Sequence, residues 1–108
     1  MLFNKELVEK ILSGKKVETR RAWKRCMVRE DRVYAAKTDY RNDSIFAYLY
    51  IKYVRRERLM DMGDDGAIRE GFSSLQEFKD VWVKCYGSWN PDEEVYVIGF
   101  EMVKNGVK

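Results

Sequence analysis

Ser44-Ile45-Phe46-Ala47-Tyr48-Leu49-Tyr50-Ile51-Lys52-Tyr53-Val54-Arg55-Arg56 is the stretch on which the fold turns. Successive side chains on a strand point to opposite faces, which puts Ile45, Ala47, Leu49, Ile51 and Tyr53 on one face. Phe46, Tyr48, Tyr50, Lys52 and Val54 fall on the other. Both sets are mostly apolar or aromatic, so the strand is expected to be covered on both sides, as a central barrel strand is. Upstream, Arg32 to Thr38 reads as its hairpin partner, joined through the polar tip Asp39-Tyr40-Arg41-Asn42-Asp43.

Helices flank this hairpin in the sequence. Leu7, Val8, Ile11 and Leu12 form one apolar face of a first helix that Asn4 is placed to cap and Gly14 to stop. Val17 to Arg20 then reads as a short strand, followed by a basic connection, Arg21 to Asp31, anchored by Trp23, Met27 and Val28. After the hairpin, Asp64 or Asp65 is placed to cap a short helix over Ala67 to Glu70 that stops at Gly71. Ser73 with Gln76, or Ser74 with Glu77, has capping-box spacing for another helix. That helix carries Leu75, Phe78, Val81, Trp82 and Cys85 at helical intervals, and a strand from Glu94 to Val103 closes the chain. The expected fold class is α+β, a small mixed β-barrel with about three flanking helices, in one domain over residues 1–108.

Composition narrows the chemistry. The chain has 108 residues, 45% hydrophobic and 36% charged, with two cysteines and no histidine. Serine–histidine and cysteine–histidine nucleophile pairs are therefore excluded, and acid–base work falls to Lys, Glu, Asp or Tyr. Cys26 and Cys85 lie far apart without clustered ligands, so no metal and no cofactor is expected, with Cys85 packed in its helix and Cys26 a free thiol. No apolar run reaches the roughly 20 residues of a membrane span. Met1 to Glu6 lacks the pattern of a signal peptide, which makes a cytoplasmic location the expectation; the oligomeric state is left open by the sequence, with a monomer favoured. The net charge of +3 is concentrated in Lys15, Lys16, Arg20, Arg21, Lys24, Arg25 and Arg29, and again in Arg55, Arg56 and Arg58, a distribution that suits an anionic polymer or a nucleotide and equally a solvated surface.

The segment Gly14-Lys15-Lys16-Val17-Glu18-Thr19-Arg20-Arg21 holds the candidate site. Like-signed neighbours lower a lysine's pKa, and Lys16 has Lys15, Arg20 and Arg21 close in sequence. Lys16 reaches the Thr19 hydroxyl only from a bend before the strand, whereas Thr19 and Arg21 share a strand face and Glu18 and Arg20 the opposite one. The plain alternatives are an exposed lysine beside a helix end and a threonine chosen for β propensity. Glu70 is either an acid–base group or a surface helix glutamate. Trp23, Trp89, Tyr48 and Tyr50 serve either as core or as stacking platforms for a base.

Those eight residues resemble the G-x-K-x-x-[E/T]-x-R signature of the ASCH domain, a branch of the PUA-like superfamily. The resemblance continues through Glu30-Asp31-Arg32-Val33, through Asp65-Gly66-Ala67-Ile68-Arg69-Glu70-Gly71-Phe72, which is similar to the family's Ala-x-x-Glu-Gly-Phe segment, and through the strand Val95 to Met102. It implies a PUA-like barrel with a cleft lined by the signature and an association with RNA or modified nucleosides. Gly14, Lys15, Arg20, Arg21, Trp23, Arg25 and Lys37 are then the expected binding residues. One branch of the family is an amidohydrolase that deacetylates N4-acetylcytidine with a lysine, a threonine and a glutamate; carried over by motif, these are Lys16, Thr19 and Glu70. Other members are ribonucleases. Thr19 stands where many members have glutamate, and Glu30 replaces the family's glycine in a Gly-Asp turn. The implied function is RNA or nucleotide binding, with hydrolysis of an acylated nucleoside or of RNA as the alternatives.

Overall fold

The computed structural model describes residues 1–104. Four antiparallel strands form one sheet in the order β1-β4-β3-β2: β1 Glu18–Arg21, β2 Val33–Lys37, β3 Ile45–Arg58 and β4 Glu94–Val103. The long β3 pairs with β2 on one side and β4 on the other, so it is central as its two apolar faces require. Ala47, Leu49 and Ile51 are buried, packed with Phe3, Ile11, Ala36, Ile98 and Phe100.

The expected alternation along β3 breaks at Lys52. The register with β4 shifts there, from Ile51 opposite Phe100 to Tyr53 opposite Gly99. One extra residue reverses the faces of everything after it, so Val54 rather than Tyr53 joins the core. Tyr53 is thereby redirected toward β1.

The first residues of the chain touch both edge strands of the sheet. Leu2 forms a parallel bridge with Lys37 of β2, flanked by Phe3 N–H to Lys37 C=O at 2.9 Å and Lys37 N–H to Met1 C=O at 2.8 Å. The Leu2 carbonyl also accepts from Arg21 Nη2 of β1 at 2.7 Å. Both sheet edges thus meet at Leu2, and the bridge supplies the parallel pairing of a mixed barrel.

Three α-helices pack on this sheet: α1 Val8–Leu12, α2 Gly63–Arg69 and α3 Leu75–Tyr86. Two helix starts differ from expectation. Asn4 makes no side-chain cap; a 3-10 turn over Lys5–Leu7 leads into α1 instead, with Leu7 N–H bonded to the Asn4 carbonyl at 2.9 Å. α2 begins at Gly63, which places Asp64 and Asp65 inside its first turn, where carboxylates favour the positive end of the helix dipole without capping it. α3 follows the second capping choice: Ser74 Oγ accepts from Glu77 N–H at 3.1 Å. Cys26 and Cys85 are both free, and Cys85 is exposed rather than packed. A second apolar cluster, with Leu59, Met62, Ala67, Phe72, Phe78, Trp82 and Val95, binds α2 and α3 to the sheet. Among the described residues no helix is long and apolar enough to cross a membrane.

Candidate active site

Two turns aim the site. Gly14 takes a φ of 81° at the end of α1, a conformation that favours glycine, and the chain then folds back so that Lys16 N–H bonds Lys10 C=O at 2.9 Å. Val17 ties the bend to α2 and to the sheet: its N–H bonds Arg69 C=O at 2.8 Å and its C=O accepts from Phe100 N–H at 3.0 Å. Gly71, with φ 94°, turns the chain sharply after Glu70. A side chain at Gly71 would begin 3.2 Å from Lys16 Cβ, so its absence lets the two segments pack.

Lys16 and Glu70 are consequently buried, 2% and 3% exposed, which removes the surface reading of both. The Lys16 ammonium donates to Glu70 Oε1 at 2.5 Å, to Glu18 C=O at 2.8 Å and to Glu70 C=O at 3.3 Å. Burial pulls the Lys16 pKa down; Glu70 opposes that, and the cations Arg21 and Arg20 add to it. Thr19 is buried beside this pair, its Oγ1 accepting from Arg21 Nε at 3.3 Å. Lys16, Thr19, Arg20, Arg21 and Glu70 all line one cavity of about 350 Å³, whose apolar walls include Leu2, Leu7, Phe72, Phe78, Trp82 and Tyr86. Lys16 and Thr19 meet in the cavity without a direct hydrogen bond between them.

The face division of β1 is as the strand period requires. Thr19 and Arg21 are joined on the cavity side, while Arg20 Nη1 and Glu18 Oε1 pair at 2.9 Å on the other. Arg20 also bonds Glu57 Oε2 through Nε at 2.8 Å and approaches Glu70 Oε2 at 3.4 Å. Burial alone would lower its pKa; Glu57, Glu70 and Glu18 outweigh that and raise it. Glu18 in turn accepts from the Tyr53 hydroxyl and from Arg69 Nε at 3.1 Å. Those partners overcome the upward pull of burial and hold the Glu18 carboxyl below its usual range. Tyr53 is pushed up to about 12 by burial and by its bond to Glu18.

The remaining expected binding residues lie outside the cavity lining. Gly14 borders a separate depression beside α1, and Lys15 and Arg25 are exposed. Trp23 sits 6.2 Å from the Tyr96 ring, and Lys37 Nζ donates to Asn42 Oδ1 at 3.0 Å. Conversely, the cavity wall from α3 was hidden within an ordinary core pattern: Phe78, Trp82 and Tyr86 are spaced four apart, the interval of any buried helix face. Among the described residues no group of three His, Cys, Asp or Glu could hold a metal ion.

No protein-family model matches the chain, and no curated protein does. Solved structures do. An ASCH domain from Lactobacillus crispatus superposes with a TM-score of 0.74 at 14% identity, over 90% of this chain and 70% of that one. The fold is that of the ASCH domain. An ASCH protein from Zymomonas mobilis gives 0.64 at 17% identity over 94% of this chain and 67% of that one. The hypothetical protein PH0355 gives 0.69 at 18% identity and is covered to 94% on both sides, so a solved chain of similar length shares this fold.

Proposed function

We propose that this ASCH-fold chain is an amidohydrolase acting on an acylated nucleoside such as N4-acetylcytidine. The observation that carries the reading is the convergence of Lys16, Thr19 and Glu70 on one open cavity of about 350 Å³, a volume within the range of small-molecule sites. A groove for a polyanion would instead need accessible cations, and Arg20 is sealed among carboxylates while Lys15 and Arg25 lie elsewhere.

Thr19 Oγ attacks the acyl carbon and gives its proton to the neutral form of Lys16, directly or through one water molecule. Burial favours that neutral form. Arg21, already bonded to Thr19 Oγ1, lies where it can stabilise the oxyanion that develops on the carbonyl. The Lys16–Glu70 bond then relays the proton toward the leaving amine as the C–N bond breaks. Water hydrolyses the threonyl ester, releasing the carboxylic acid and restoring the hydroxyl.

Release of cytidine from N4-acetylcytidine, followed by chromatography, tests the reading. Thr19→Ala is expected to lose on the order of a hundredfold or more in kcat. No turnover by the wild type, or equal turnover by the variant, would sink it. RNA incubated in parallel separates the alternatives: cleavage would point to a ribonuclease, and salt-sensitive binding without turnover to an RNA-binding domain.

A further inference from the structure

We infer that Arg20, held by Glu18 and Glu57, is a positioning residue that fixes the Glu70 carboxylate on Lys16. This rests on the hydrolase reading of the cavity and gives a role to the lining residue whose guanidinium is sealed among carboxylates.

Arg20 stands between two cavity residues, Thr19 and Arg21, yet its side chain is 0% exposed and faces three carboxylates from three parts of the chain. Neutralising one guanidinium requires only one. The other two are themselves restrained: Glu18 by Tyr53 and Arg69, Glu57 by Arg55 Nη1 at 2.9 Å. Arg20 is thus anchored on the sheet through Glu18 of β1 and Glu57 of β3, and its Nη1 reaches the end of α2 at Glu70 Oε2.

The consequence falls on Glu70. Its Oε2 faces Arg20 at 3.4 Å and its Oε1 faces Lys16 at 2.5 Å. A carboxylate held by one cation rotates about its last torsion, whereas cations on both oxygens stop that rotation. The orientation needed for proton relay is therefore set from the sheet side.

α2 has been shaped to admit this guanidinium. A Cβ at Gly66 would lie 2.8 Å from Arg20 Nη2, 3.3 Å from Arg20 Cζ and 3.0 Å from Met62 Cγ. Glycine is disfavoured inside helices, and here its missing side chain is the space that Arg20 occupies. Gly66 lies outside the cavity lining, and its backbone carbonyl, which accepts from Glu70 N–H at 3.0 Å, is kept by alanine, so the added methyl acts on Glu70 through the groups it displaces.

Arg20→Lys keeps the charge and loses the fork; Gly66→Ala pushes the fork aside without substituting any residue that lines the cavity. For both, deacetylation kinetics are expected to show kcat lowered about tenfold or more with KM within about twofold, in proteins whose circular dichroism is unchanged. Crystal structures of the two variants read the same question without turnover, with Glu70 Oε1 expected off Lys16. Wild-type kcat in the folded variants, or Glu70 still seated on Lys16 in both, overturns the inference; if Arg20→Lys does not fold, Gly66→Ala alone decides. A wild type without turnover, combined with a displaced Glu70 in the variants, defeats the hydrolase reading and leaves the placement of Glu70 by Arg20 standing.

Discussion

Arg20 and Arg21 are neighbours on one strand and have opposite surroundings. Arg20 points away from the cavity mouth into Glu18, Glu57 and Glu70 and is fully buried. Arg21 borders the cavity with no carboxylate within ion-pair distance among the described residues; it bonds Thr19 Oγ1 and the Leu2 carbonyl and stacks on Phe3 at 4.8 Å. Its pKa is lowered, chiefly by burial, whereas that of Arg20 is raised. A buried cation with satisfied counter-charges belongs to the framework, and one without them has electrostatic capacity left for a ligand. The pleat of β1 makes that division, since adjacent residues cannot share a face.

The largest expected effect tests the framework side. Arg20→Met would leave three carboxylates without their shared cation, and breaking a buried pair in this way costs about 3–5 kcal/mol. Urea denaturation should show the midpoint falling at constant slope. A variant as stable as wild type would mean that the three carboxylates find other partners, and the contrast between the arginines would lose its basis.

Next comes the partner of that framework on β4. A Cβ at Gly99 would lie 2.1 Å from the Tyr53 ring, so the bare backbone is what allows Tyr53 to cross β4 from β3 and reach Glu18 on β1. Gly99→Ala is expected to destabilise by about 1–3 kcal/mol through overpacking, and more if Tyr53 is expelled. Thermal melts of Gly99→Ala beside Tyr53→Phe separate the clash from the lost hydroxyl. Equal stability in Gly99→Ala and wild type would show that Tyr53 has another resting place.

Much of this arrangement was legible beforehand, and the part that was not has a physical cause. The Gly14 bend, the pairing of Thr19 with Arg21 and the opposite facing of Glu18 and Arg20 are local consequences of a positive φ and a two-residue period. Glu70 is a candidate from its place at the end of a short helix, but only its motif ties it to Lys16, because nothing in spacing brings the two together across 54 positions. The two-residue period puts Tyr53 on the wrong face because a bulge at Lys52 has no compositional mark, and with that parity lost nothing links Glu57 to Arg20. Asp64 and Asp65 read as caps in the sequence because cap and first-turn positions favour the same residue types. The cavity walls on α3 stayed hidden because a helix face lining a pocket and one lining a core carry the same stripe of large apolar residues.

Acid is a milder probe of the framework than deletion. Glu18 has its carboxyl lowered in the fold, so the stability it contributes is fully present above its unfolded value of about 4.3 and is lost as pH falls through the lower folded value. Wild type should therefore lose melting temperature below about pH 4.3 faster than Glu18→Gln, which has no charge there to lose. Parallel pH profiles of the two proteins would mean that Glu18 is not held by Tyr53, Arg20 and Arg69 as described.

The smallest expected change in stability is the one that completes the comparison. Arg21→Met removes a cation that, among the described residues, neutralises no carboxylate within 4 Å, so no buried anion is left behind, in contrast to Arg20→Met. What is lost is the two bonds to the Leu2 carbonyl and Thr19 Oγ1 and the contact with Phe3, while a desolvated charge is relieved, and the balance is a loss of about 1 kcal/mol. Function should respond the other way, since the proposed oxyanion partner disappears: removing one such donor lowers kcat by about a hundredfold or more. Urea midpoints and deacetylation rates measured on both methionine variants place them on two axes. If Arg21→Met unfolds as readily as Arg20→Met, both arginines belong to the framework and the cavity must stabilise its transition state with another group.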